Sequence, residues 1–192
     1  MIDPDWAMSL ARQMLCDSLP RRWAHTQGVA SRARGLASIL GEDAALIESA
    51  AWLHDIGYAE TIARVGFHPV DGARYLRGET NADEMICRLV AYHTGAEVEA
   101  EVRGLPATTS EFQPPPCGHL EALTYCDMTA SVDGQVVDIE QRLDEILERY
   151  PAEHVVHRSI QKSAPLLRAA THKTVERLQR ALSLADRSIE VR

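Results

Sequence analysis

The chain reads as all-α, a single-domain helical bundle, on three observations. Apolar residues recur at three- and four-residue spacing through most of the 192 positions, as in helices that bury one stripe. No two runs alternate with the period of two that paired strands need. No stretch of Gly, Ser or Pro divides the chain, and its length suits one domain (residues 1–192) with a sizeable core. Apolar residues make up 45% and Phe, Trp and Tyr together only 5%, so that core is expected to be Leu, Ile, Val and Ala.

From Asp5 to Cys16, the positions of Trp6, Leu10, Met14 and Leu15 mark a first helix, and Pro20 closes its connection to the next. A second helix spans residues 21–40, with Trp23, Val29, Leu36, Ile39 and Leu40 apolar and Gly41 as its C-terminal stop. His25 then lies one turn into it. Glu42 and Asp43 put acid at the positive end of a third helix, whose segment from Ala44 to Leu53 is nearly all apolar or small and so buried on most sides. It ends near His54 and Asp55. Gly57 relaxes the backbone there, so that adjacent side chains diverging by about 100° in a regular helix can approach one point.

After a loop through Arg64 to Phe67, His68-Pro69 marks a fresh start, because Pro suits the first helical position; the short helix runs from Pro69 to Arg77. Asn81 is the expected cap of a helix from Ala82 to His93, with Met85, Ile86, Leu89, Val90 and His93 on one stripe, and Thr94-Gly95 breaks it. Residues 102–117, with three consecutive prolines, form the longest loop, a surface crossing or a lid. Gly118 to Ala130 resumes helical spacing and carries Asp127. Asp133-Gly134 gives a turn before a brief extended run from Gln135 to Val137, and Asp138 to Gln141 reads as a capping box opening a helix that Pro151 ends. The remainder, 152–189, is expected to be helical with an interruption near Pro165.

A net charge of −8 argues against nucleic acid as a partner, since phosphate backbones need a local excess of Lys and Arg. The basic residues are almost all Arg, so any anion site is a guanidinium fork; Arg21, Arg22, Arg64 and Arg74 are the candidates. Cys16, Cys87, Cys117 and Cys126 show no metal or redox spacing and fit reduced thiols in a cytoplasmic protein, with Cys126 packing in the core. No apolar run approaches bilayer length, so no membrane span is expected.

Six residues stand out against this scaffold: His25 near the start of a helix, His54-Asp55 at the end of a buried one, His68 in His-Pro-Val-Asp-Gly-Ala, His93 in His-Thr-Gly, and Asp127 among apolar neighbours. A buried carboxylate is costly without a partner, and imidazoles with carboxylates suit divalent Fe, Mn, Co, Ni or Zn. A carboxylate can bridge two ions where imidazole cannot, which makes Asp55 the natural bridge. Six donors are too many for one ion that keeps positions open for water and substrate, so two divalent metal ions are the better count. His119, His154, His157 and His172 fall outside the pattern and are expected at the surface.

The order of these residues resembles the HD-domain superfamily of metal-dependent phosphohydrolases, over roughly residues 21–130. The remaining helices, residues 131–192, are expected to pack on that core. The resemblance implies that His25, His54, Asp55 and Asp127 match the four signature ligands and that His68 and His93 match the extra histidines of subgroups holding two or more metals. It also implies Asp55 and His54 as catalytic, and a phosphoester or phosphoanhydride of a nucleotide or related small metabolite as substrate. Gly57-Tyr58-Ala59 departs from the Gly-Tyr-Pro of the cyclic-dinucleotide group. Two further readings keep the metals: a mixed-valent di-iron oxygenase of the same superfamily, and a regulatory protein that binds without turnover.

Overall fold

The computed structural model describes residues 1–105 and 110–190, with side chains through residue 184. The fold is all-α. The helices are α1 (Pro4–Leu15), α2 (Pro20–Arg34), α3 (Ala37–Leu40), α4 (Ala44–Leu53), α5 (His68–Glu79), α6 (Glu84–Tyr92), α7 (Ala96–Arg103), α8 (Cys117–Met128), α9 (Ile139–Arg149) and α10 (Val155–Glu190), with 3₁₀ turns at 41–43, 56–58 and 93–95. Among the described residues the only extended pairing is an isolated bridge between Ala130 and Val136. No described helix is long and apolar enough to cross a membrane.

Helix α4 is central and packs against α1, α2, α6 and α8. Its Leu46, Ile47, Ala50, Ala51, Trp52 and Leu53 are all buried, and each large aliphatic among them contributes about 1.5–3 kcal/mol. A smaller core of Met128, Ile139, Leu143, Ile146, Ile160 and Leu167 joins α8, α9 and α10. Phe67, Val70, Ala96 and Ala100 form a third cluster beneath α7.

Several boundaries differ from the sequence reading for identifiable reasons. Pro20 is the first residue of α2 rather than part of the connection, since proline lacks the N–H that a first turn leaves unpaired anyway. The expected helix over 21–40 is two helices: Gly35, a weak helix former, follows α2, and α3 ends on Gly41 at φ 56°. Asp83, not Asn81, caps α6 by accepting from the Met85 N–H at 2.9 Å. Helix α7 was not anticipated; its Glu-rich sequence carries only Ala96 and Ala100 buried, too thin a stripe to read, and left-handed Gly95 and Gly104 delimit it.

Helix α10 runs unbroken through Pro165, contrary to expectation. Pro165 and Gln161 are both exposed, so the carbonyl that proline leaves without its donor faces water, while buried Ser163, Ala164 and Leu167 hold the opposite face to the core. The capping box forms as expected: Asp138 accepts from the Gln141 N–H at 2.8 Å and Gln141 accepts from the Asp138 N–H at 3.0 Å. Of the 102–117 loop, residues 106–109 lie outside the described residues and 102–103 belong to α7. Ser110 to Pro116 is a surface crossing: Phe112 is buried, Tyr92 donates to its carbonyl at 2.8 Å, and Arg88 donates to the Gln113 carbonyl at 2.8 Å.

Candidate metal centre

Five of the six singled-out residues sit at helix ends, where a side chain can leave the helix surface and reach a common point. His54 and Asp55 follow α4, His68 opens α5, His93 follows α6 and Asp127 lies in the last turn of α8; His25 comes from the second turn of α2. Ligand atoms of His25, His54 and Asp127 lie within 4.8 Å of one another, as do those of Asp55, His68 and His93. All but His68 are at most 6% exposed.

The backbone orients the imidazoles. His54 Nδ1 lies 2.8 Å from the Ala51 carbonyl and His93 Nδ1 lies 2.7 Å from the Val90 carbonyl, each three residues earlier on the helix the histidine follows. A carbonyl only accepts, so Nδ1 carries the hydrogen in both rings, satisfying an otherwise unpaired helix-terminal oxygen and turning the Nε2 lone pair inward. His25 does the same with the Ser131 carbonyl at 3.0 Å. That carbonyl is within reach because Gly28 and Gly134 let the loop lie on α2: a Cβ on Gly28 would meet the Gly134 Cα at 2.6 Å, and Gly134 has φ 77°.

The inward nitrogens face one another, a carboxylate, or nothing that donates. His54 Nε2 is buried with no hydrogen bond, and His25 Nε2 stands 2.9 Å from Asp127 Oδ1, an imidazole nitrogen facing a carboxylate. Two lone pairs at that distance require positive charge between them, a proton or a metal cation. The donor set of neutral nitrogens and carboxylates fits a divalent ion.

The family model of the HD domain matches residues 22–187. The chain belongs to the HD domain family. No curated protein and no solved structure matches it significantly. Metal-dependent hydrolases make up most of that family.

In this HD domain the charges are tightly coupled. Burial alone would raise Asp55, but Arg22, with Nη1 at 2.8 Å from Oδ2, together with His54 and His68 holds its carboxyl well below the usual carboxylate range. Burial likewise works against the Asp127 carboxylate and is outweighed by the hydrogen bond to His25, which holds it low. Burial presses His68 and His93 downward, towards neutral imidazole, whereas Asp55 outweighs burial at His54 and raises it. The two depressed carboxylates stabilise the fold above their ordinary value near pH 4, and that contribution is lost as pH falls below it, because the unfolded chain takes up protons first. Thermal unfolding of the metal-free protein should therefore shift to lower temperature below about pH 4, and Asp127→Asn should flatten that dependence; an equal acid sensitivity in the variant would refute the assignment.

A cavity of about 80 Å³ opens beside the centre, lined by Arg22, Asp55, Tyr58, His68, His93 and Asp127 together with Arg142, Arg149 and Tyr150. Of the four arginines named from the sequence, only Arg22 lines it. Arg21 is exposed and pairs with Asp133 at 3.2 Å, while Arg64 and Arg74 line a separate surface hollow where Arg74 pairs with Glu111. Cys126 is buried in the core. His119 pairs with Asp43 at 2.9 Å and His157 with the Tyr150 carbonyl at 2.8 Å; none of the four extra histidines lines the cavity.

Three contributors escaped the sequence reading. Thr94 occupies the left-handed region at φ 48°, a strained conformation for a β-branched residue, and its hydroxyl donates to Asp127 Oδ2. Asp71 is buried and accepts from the N–H groups of Arg64, Val65 and Gly66 at 3.0–3.1 Å, fixing the loop that delivers His68. Arg142 is buried on α9, with Nη2 3.9 Å from Asp127 Oδ1. Thr94 reads from the sequence only as part of a helix break, and Asp71 carries no signal there beyond its place in His-Pro-Val-Asp.

Proposed function

We propose that His25, His54, Asp55, His68, His93 and Asp127 hold two divalent metal ions in this HD domain, and that the protein hydrolyses a phosphoester or phosphoanhydride of a nucleotide or related small metabolite. One observation carries the count of two. Asp55 presents Oδ2 to His54 at 3.2 Å and His25 at 3.9 Å, and Oδ1 to His68 at 3.4 Å and His93 at 4.0 Å, so each oxygen addresses a different pair of imidazoles.

Divalent ions bound there would lower the pKa of water towards neutrality and offset charge on phosphoryl oxygens. The chain's own groups supply the rest. Asp55 and His54 belong to both the ligand set and the reacting centre. Arg22 has its guanidinium 4.1 Å from the centre of the Tyr58 ring, which in turn stacks on His68 at 3.9 Å, so the cation is braced where a phosphoryl oxygen would bind. Thr94 holds Asp127 in orientation through its hydroxyl.

Elemental analysis of the purified chain, followed by a phosphatase screen with added Mn or Co in the absence of oxygen, tests this reading. Close to two metal ions per chain and anaerobic turnover of a phosphoester that a chelator abolishes are expected. Arg22→Gln should lower kcat/KM by about 10- to 100-fold, the worth of a charge-assisted hydrogen bond, with metal content retained. Turnover that requires oxygen uptake, or tight binding of a phosphorylated ligand without turnover, would replace the hydrolase reading.

A further inference from the structure

Arg142 and Arg149 of α9 line the same cavity as Arg22, and Glu145 lies between them along the helix. Arg142 is 5% exposed, and its Nε is buried without a hydrogen-bond partner. Its Nη1 donates to Glu145 Oε2 at 2.7 Å, and Arg149 Nη2 donates to Glu145 Oε1 at 2.7 Å. One carboxylate thus serves two guanidiniums. Of the three acids that line the cavity, Asp55 is paired with Arg22 at 2.8 Å and Glu99 with Arg103 at 2.6 Å. The third, Asp127, has Oδ1 2.9 Å from His25 and 3.9 Å from Arg142, beyond hydrogen-bond reach of the guanidinium, and its Oδ2 accepts from Thr94.

A buried guanidinium with an unpaired donor is costly unless something answers it. Arg142 itself lines the cavity, beside the apolar side chains of Ile146, Val156 and Ile160. The cavity of about 80 Å³ is bounded both by Arg22 with the residues of the metal centre and by Arg142 and Arg149, so a ligand that fills it meets both sets.

We propose that Arg142 and Arg149 form a second anion subsite, which makes the substrate a small phosphoester carrying another negative group, a carboxylate or second phosphate, a few atoms from the scissile phosphoryl. The proposal rests on the metal-dependent hydrolase reading above and narrows its substrate class. Arg142 contacts the second anion from within, Arg149 does so from the mouth of the cavity, and Glu145 holds the two apart and in place.

The test uses matched phosphoesters that differ in the second charge, ethyl phosphate against phosphoglycolate and glycerol 3-phosphate against 3-phosphoglycerate, with turnover and calorimetric binding both measured on the metal-loaded chain. In each pair that binds, the acidic ester should be favoured by about tenfold or more in kcat/KM and in Kd. Arg149→Gln, at a partly exposed position where folding is not at risk, should collapse that ratio by a similar factor, chiefly through KM, and Arg142→Lys should reduce it with the fold preserved. If neither ester is turned over while phosphoglycolate still binds more tightly and Arg149→Gln abolishes the difference, the subsite stands and the hydrolase reading fails. Equal treatment of the two members of every pair overturns the proposal. So does a parallel loss on both esters in Arg142→Lys together with lost metal, which would make Arg142 a support for Asp127 alone.

Discussion

Asp55→Ala should remove bound metal and hydrolysis together, with metal falling from about two ions to less than one per chain and kcat/KM by at least about 10³-fold, the scale of losing the charge stabilisation and water activation at the centre. The size of the effect follows from position. Asp55 lies within 4.0 Å of all four imidazole Nε2 atoms and 2.8 Å from the Arg22 guanidinium, so its loss disturbs both groups of candidate ligands. Asp55→Asn tests the same point without a change of volume, because an amide oxygen is a weaker ligand and brings no charge. Circular dichroism would establish that the variants fold. Either variant retaining its full complement of metal would show that the ions, if present, bind elsewhere.

Gly57→Ala should destabilise the fold and displace one of the ligands although it touches no chemistry. A Cβ at residue 57 would lie 2.0 Å from the His68 carbonyl oxygen and 2.7 Å from the Gly72 nitrogen, both backbone atoms at the start of α5. Neither can swing away as a side-chain tip would, so α5 must retreat and carry His68 with it. Overpacking of this kind costs about 1–3 kcal/mol, which corresponds to a fall in Tm of roughly 3–10 °C for a chain of this size. Displacing His68 should also weaken metal on the His68–His93 side and cut activity by about 10²-fold. Thermal unfolding with and without metal measures both; an unchanged Tm together with unchanged metal content would mean that the approach of the turn at 56–58 to α5 is looser than described.

Gly57 also illustrates how much could be read before the fold was in hand. The position was recognised as special, but for backbone freedom; its φ is unexceptional, and what demands glycine is contact with a helix eleven residues later. Helix type and approximate extent were legible because α4, α6 and α8 carry strong apolar patterns, and five of the six candidate ligands stand out because imidazoles and carboxylates are conspicuous at helix ends. The second layer was hidden. Asp71 and Thr94 hold loops and ligands through hydrogen bonds whose partners are distant or local in ways no periodicity encodes. Arg142 carries no mark in the sequence that separates it from the other arginines, and its place beside Asp127 depends on how α9 packs. Pro165 misled in the opposite direction, since its effect depends on which face of α10 it occupies, and that is fixed only by packing.

The central claim is that six side chains from five helices and the turns that follow them converge on a pair of metal ions with Asp55 between them. Anomalous diffraction from crystals grown or soaked with Mn measures this directly. Two peaks, each within coordination distance of one Asp55 oxygen, one flanked by His25, His54 and Asp127 and the other by His68 and His93, are the expected result. A single peak that leaves His68 and His93 unligated, or ions bound only at the protein surface, would contradict it.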